Sequence, residues 1–286
     1  MTTMTARATS RLIGVSLGPG DPDLMTRRAY AVLAGDARWV YPMKKSEGVS
    51  YALDIARRAG LTPPADAVAL IFPMTRQPEP LARAWGLAAA QTLALLGEGR
   101  DVAFLVEGDA STYATFGHLA RTVRALAPEV AVEVVPGVTS FAAAAAHLGA
   151  PLADEDDTFA VIPAAYGVEV IERLLDEFDT LVLLKVKPLL DEILDLLARR
   201  GLLAEACFVE RIGAPTARVV ADVASLRGEK VAYLSLMILR NPERLRGGLR
   251  RGCRKRPPAP AIAGEAAVSA AMAAAVSAAV EEGAPP

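Results

Sequence analysis

The chain has 286 residues, 52% of them hydrophobic, and a formal charge of −2 at neutral pH. That length suits one large or two ordinary domains, and the composition excludes a disordered polymer. A chain so close to neutral offers no general case for nucleic-acid binding. Its one concentrated basic stretch, Arg244 to Arg256, falls beyond the last core strand.

Cys207 and Cys253 stand far apart and in no CxxC pattern, which argues against a disulfide framework or a cysteine-rich zinc site and suits a reducing, cytoplasmic setting. Two histidines, His118 and His147, are too few for a His-based metal cluster, so no protein-bound metal is expected. Residues 1–10 lack the apolar core of a secretory signal and read as a disordered terminus. Ala263 to Val280 is apolar but mostly Ala, interrupted by Glu265 and serines, so no membrane span is expected.

In chain order, apolar runs alternate with helical patterns. Arg11–Leu17 reads as a strand, Pro22–Leu33 as a helix and Trp39–Tyr41 as a strand. Ser50–Ala59 is helical, Ala67–Phe72 a strand, Glu79–Leu96 a long helix and Val102–Val106 a buried strand. Tyr113–Leu126 then reads as a helix and Ala131–Val135 as a strand. This rhythm predicts a mostly parallel sheet flanked by helices. After Gly137 the pattern restarts, with helices at Ser140–Leu148, Val168–Phe178 and Leu189–Arg199. Strands are expected at Thr158–Ile162, Thr180–Val186, Ala206–Glu210 and Val231–Leu239, with antiparallel members among them. The fold class is α/β, with domains at 11–137 and 138–245. Residues 246–286 form a basic, then Ala-rich tail, read as a linker and a fraying helix. Lacking core-forming residues, the tail is expected to be removable after Pro242 without loss of activity.

Three strand exits stand out. The first, "LGPGDPDLMT" (Leu17–Thr26), is slim at Gly18 and Gly20, and Asp21 is placed to cap a helix that begins at Pro22. It matches neither GxxxxGK[ST] nor GxGxxG, and Asp21 would repel a phosphate. The second, "EGDASTYATF" (Glu107–Phe116), and the third, "VPGVTSFAAAAAHLG" (Val135–Gly149), repeat the plan of strand, small turn, hydroxyl residues and helix. Ligands of open α/β sheets bind at such carboxyl ends. A ligand shared by these exits would be flat, polar at its edges and not strongly anionic, and an adenosine group fits better than a triphosphate.

In their joint order and spacing these three stretches resemble the tetrapyrrole methylases, and the resemblance runs from about Leu12 to Leu239. Within that family the likeness is to the group acting at carbon 20 of precorrin-2 or cobalt-factor II. It is carried by "YPMKKSEGVSYALDIA" (Tyr41–Ala56), "IFPMTRQPEPLARAW" (Ile71–Trp85), "DTLVLLKVKP" (Asp179–Pro188) and "VERIG" (Val209–Gly213). The resemblance implies two α/β domains with the cofactor cleft between them, commonly a homodimer, and S-adenosylmethionine as methyl donor for a tetrapyrrole in cobalamin biosynthesis. Carried over, the cofactor positions are Pro19, Gly108, Asp109, Thr112, Thr139, Ser140 and Leu184, with backbone from the strand around Leu234–Leu236. Tyr113 and Lys185 are candidates at the reacting centre, and Lys44, Lys45 and Arg211 are candidates to pair with the substrate's carboxylates. No general base is assigned. Ala110 departs from the family pattern, which usually has Pro after Gly-Asp, and the loss of a fixed φ would loosen that turn. Leu184 stands where Met is common, a volume-conserving exchange. Action at another ring carbon, and a non-catalytic binding protein on the same scaffold, stay open as alternatives.

Overall fold

The computed structural model describes residues 10–45, 48–73 and 77–244, and the chain divides into two compact units after Ser140. The expected tail at 246–286 and nearly all of the expected disordered terminus lie outside the described residues.

The first unit runs β1 (Arg11–Ser16), α1 (Arg27–Leu33), β2 (Arg38–Met43), α2 (Tyr51–Arg58), β3 (Val68–Ile71), α3 (Pro78–Gly97), β4 (Val102–Val106), α4 (Phe116–Leu126) and β5 (Ala131–Val135). Its sheet has the order β3-β2-β4-β1-β5, and every neighbouring pair is parallel. β4 is buried along its whole length, which is why it reads as an unbroken apolar run. On one face Leu12, Val102 and Phe104 pack with Ala88, Phe116 and Leu119 of α3 and α4. On the other, Ile13, Val15 and Leu105 pack with Leu33 of α1 and with Leu53, Ile55 and Ala56 of α2. Because the strands are parallel, the segments after β1, β2, β4 and β5 all leave from one edge of the sheet.

Two expected helices differ here. The stretch Pro22–Leu33 is broken into a 3-10 turn at Pro22–Leu24 and α1. Met25 is extended, and the Thr26 hydroxyl accepts the Ala29 N–H at 3.2 Å as a fresh cap. α4 starts at Phe116 rather than Tyr113, because the preceding residues are held in a turn by Asp109.

α5 (Ser140–His147) spans the division in sequence. The second unit continues with β6 (Phe159–Pro163), α6 (Val168–Glu177), β7 (Thr180–Leu184), α7 (Leu190–Arg200), β8 (Ala206–Glu210), β9 (Arg218–Val220) and β10 (Ser235–Arg240). The order is β6-β7-β10-β8-β9; β6 and β7 are parallel, whereas β10 is antiparallel to β7 and β8, and β9 to β8. Antiparallel members are thus present, as the sequence suggested. Leu181, Leu183, Phe208, Met237 and Leu239 form one core with Ile171 and Leu175 of α6 and Ile193, Leu194 and Leu197 of α7.

The expected strand at Val231–Leu239 begins later, at Ser235. The Ala232 N–H donates to Glu210 Oε1 at 2.5 Å, and the Ser235 N–H closes a tight turn on the Tyr233 carbonyl at 2.9 Å. The unit's last described residues are also fastened. Buried Asp179 accepts from the Thr158 N–H (2.8 Å) and hydroxyl (2.9 Å), and its Oδ2 pairs with Arg244. A cut after Pro242 would therefore remove a partner of a buried carboxylate.

Candidate functional site

The first unit draws its three motif exits together. Gly18, just past β1, and Gly108, just past β4, exchange hydrogen bonds: Gly18 N–H to Gly108 O at 3.2 Å and Gly108 N–H to Gly18 O at 2.6 Å. Gly18 has φ +78°, and a Cβ there would lie 3.0 Å from the Leu24 carbonyl oxygen, so the backbone state favours glycine and the space for a side chain is tight. The third exit approaches more closely still. A Cβ on Gly137 would stand 2.4 Å from Ser16 Cβ and 2.8 Å from Gly108 O, which no side chain can occupy without backbone movement.

Asp109 and Ser16 tie the exits to one another. Asp109 is buried; its Oδ2 accepts the Gly137 N–H at 2.8 Å, and its Oδ1 accepts the Ser111 N–H at 2.9 Å together with the Ser111 and Thr112 hydroxyls. Burial pushes this carboxyl's pKa upward, yet the hydrogen bonds from Ser111, Gly137 and Thr112 outweigh it and hold the group below the ordinary carboxylate range. Both oxygens are engaged by the chain's own donors, so Asp109 acts by fixing the β4 exit against the β5 exit. Buried Ser16 donates its hydroxyl to Val135 O at 2.6 Å and accepts the Ala110 N–H at 2.8 Å. Proline at position 110 would carry no N–H. The departure that seemed to loosen this turn is thus matched by a hydroxyl on the neighbouring strand.

The remaining expected positions in this unit are placed as follows. Pro19 is buried, and its carbonyl accepts from the Tyr51 hydroxyl at 3.3 Å. Thr112, Thr139 and Ser140 are half-buried, with Ser140 the first residue of α5. Tyr113 is 51% exposed and holds φ +51°, an uncommon backbone state for an aromatic residue. Lys44 and Lys45 are exposed just past the carboxyl end of β2, on the same sheet edge as the three exits.

In the second unit Leu184 is the last residue of β7, and Lys185 follows it with φ +58°. Arg211 follows β8 with φ +52°. Their N–H groups donate to the Ser235 and Leu234 carbonyls at 2.9 and 2.8 Å, so both cations flank the start of β10 at one edge of that sheet. The Arg211 guanidinium also reaches the Thr216 hydroxyl at 3.3 Å.

Sequence reasoning missed Ser16, Tyr51 and Arg58. Ser16 is a lone hydroxyl inside an otherwise apolar strand, and that was its only signal. Tyr51, Asp54 and Arg58 recur at helical spacing on one stripe of α2, a pattern that also suits any solvated face.

The first unit is an open parallel α/β sheet whose carboxyl edge joins three glycine-bearing exits, none of them a phosphate loop, and that defines its class. The family profile for Tetrapyrrole (Corrin/Porphyrin) Methylases matches residues 11–227, and the chain belongs to that family. Among curated relatives it is 36% identical, over 72% of its own length and 85% of the other's, to the cobalt-precorrin-2 C(20)-methyltransferase of Salmonella typhimurium. It is 34% identical, over 82% of its length, to the cobalamin biosynthesis protein CobIJ of Mycobacterium tuberculosis, and the match spans about half of that longer protein, 46%. Among solved structures, uroporphyrin-III C-methyl transferase from Thermus thermophilus, complexed with S-adenyl homocysteine, superposes with a TM-score of 0.57 at 26% identity. That likeness covers 80% of this chain and 97% of the other.

Proposed function

We propose that the chain transfers a methyl group from S-adenosylmethionine to carbon 20 of precorrin-2 or its cobalt-bearing counterpart in cobalamin biosynthesis. The observation that carries this reading is the joining of the three motif exits: Gly18 paired with Gly108, and Asp109 holding Gly137. The names of the Salmonella and mycobacterial relatives and the ligand of the Thermus protein support it.

The residues present suit such a donor. The platform is lined by glycines and by the hydroxyl residues Thr112, Thr139 and Ser140, which can hydrogen-bond ribose and adenine edges without presenting a strong charge. When bound, the donor supplies a methyl already activated by its sulfonium charge. What the chain must add is orientation and exclusion of water. Pro19, Gly108, Thr112, Thr139 and Ser140 of the first unit, and Leu184 of the second, are assigned to the donor, with Asp109 holding the exits in place. Lys44, Lys45, Lys185 and Arg211 are assigned to the macrocycle's carboxylates, and Tyr113 and Lys185 to the neighbourhood of the reacting carbon. A homodimer and a cytoplasmic location belong to the same proposal.

The test is conversion of precorrin-2, with and without cobalt, in the presence of S-adenosylmethionine. The expected products are S-adenosylhomocysteine, a proton released from the methylated carbon, and a tetrapyrrole heavier by one CH2 by mass spectrometry that carries the new methyl on carbon 20 by NMR. A methyl at another carbon, or binding without turnover, refutes the assignment. Light scattering at twice the chain mass is expected for the dimer.

A further inference from the structure

The loop after β1 is held from behind by one helix. α2 buries Ala52, Leu53, Ile55 and Ala56 against the sheet, and the stripe Tyr51, Asp54 and Arg58 runs along the loop. The Tyr51 hydroxyl donates to the Pro19 carbonyl at 3.3 Å, and Arg58 Nη2 donates to the Gly20 carbonyl at 2.7 Å. Arg58 is itself braced, with its Nε on Asp54 Oδ2 at 2.9 Å. Two consecutive loop carbonyls are therefore captured by side chains seven residues apart on one rigid element.

A planar trans peptide points its C=O and its N–H in opposite directions. Drawing the Pro19 and Gly20 carbonyls toward α2 turns the N–H groups of Gly20 and Asp21 to the other side of the loop. Neither N–H donates to a protein acceptor among the described residues. An arginine whose guanidinium is already held by a carboxylate is well suited to fix such a peptide plane, because its fork is planar and always charged.

We propose that Arg58, with Tyr51, is a positioning residue for the methyl donor: it orients the Pro19–Asp21 peptides so that their N–H groups face a hydrogen-bond acceptor of the bound donor. This rests on the donor reading above. Arg58 reaches the loop from the α2 side, through the Gly20 carbonyl, so its loss should act on donor binding and leave the macrocycle's site alone.

The probe is S-adenosylhomocysteine, titrated calorimetrically into the full chain, alongside steady-state kinetics. Arg58→Met keeps the apolar stem and removes the donors. It is expected to weaken binding about tenfold and raise the donor KM to match, an effect of the size small misplacements produce. The KM for the tetrapyrrole and kcat should stay within about threefold, which a general loosening of the fold would not leave untouched. Arg58→Lys, which can still donate to the Gly20 carbonyl, should recover most of the affinity. Should Arg58→Met fail to fold, Tyr51→Phe removes a single hydroxyl and should weaken binding by about threefold, the loss of one neutral hydrogen bond. Folded variants that bind as tightly as the wild type overturn this inference while the donor reading stands. A wild-type chain that binds no S-adenosylhomocysteine overturns both.

Discussion

Replacing Ser16 with Ala removes one oxygen atom, orphans one buried N–H and takes a donor from a carbonyl. The Ala110 N–H loses its acceptor at 2.8 Å and the Val135 carbonyl loses a donor at 2.6 Å. Ser16 is 0% and Ala110 3% exposed, so water does not readily replace the lost oxygen. An orphaned buried donor costs about 1–3 kcal/mol, and the carbonyl keeps other means of satisfaction, so the sum is about 2 kcal/mol. In a protein of this size that is about 5 °C in Tm. Calorimetric melting with and without S-adenosylhomocysteine is the assay, since the same hydroxyl also holds the platform together. The sharper version is a double-mutant cycle. Ala110→Pro removes the N–H that Ser16→Ala would orphan, so the double variant should be more stable than the sum of the singles by about 1 kcal/mol. Strict additivity, or Ser16→Ala within about 0.5 kcal/mol of the wild type, would refute the reasoning.

The other predictions concern charge, thiol and boundary. The Asp109 carboxyl has its folded pKa held below the unfolded one, so its contribution is complete above about pH 4 and is lost as the pH falls through the folded value. Asp109→Asn should accordingly show a constant deficit in Tm from pH 7 to about 5 that narrows in more acidic buffer, and a gap that widens there would contradict this. Asp109→Ala, freeing Gly137 as well, should also weaken binding of S-adenosylhomocysteine by calorimetry. Burial pushes the Cys207 thiol up to about 11, so peptide mapping after iodoacetamide treatment at neutral pH should find it unmodified in the folded chain and modified in denaturant. A chain ending at Pro242 should melt below one ending at Arg244, because only the latter keeps the Asp179 ion pair. Equal melting temperatures would show that Arg244 contributes nothing.

Much of the architecture was legible because burial writes itself into apolar runs. β4 is buried on both faces and its limits, Val102–Val106, are those the sequence suggests. β9 was not foreseen, since three residues, Arg218–Val220, with an exposed arginine at one end leave no readable period. The start of β10 shifted because side-chain and turn hydrogen bonds at Ala232 and Ser235 override a sequence with good strand propensity. At the candidate site the glycine-rich exits could be read, since missing side chains are themselves a signal. The fasteners could not. No pattern in the sequence shows that Asp109 takes four internal donors, or that Ser16 and Arg58 act on segments 94 and 38 residues away.

Lys185 and Arg211 each occupy a backbone basin that penalises every residue carrying a Cβ. A glycine in either place would relieve about 1 kcal/mol of torsional discomfort while leaving the peptide N–H bonds to Ser235 and Leu234 intact. Backbone geometry alone therefore gives no reason for a long cationic side chain at Lys185, whereas the Arg211 guanidinium at least reaches Thr216. On the proposed assignment of Lys185 to the reaction, Lys185→Gly should raise the melting temperature and lower turnover together, and unchanged turnover would remove Lys185 from that assignment.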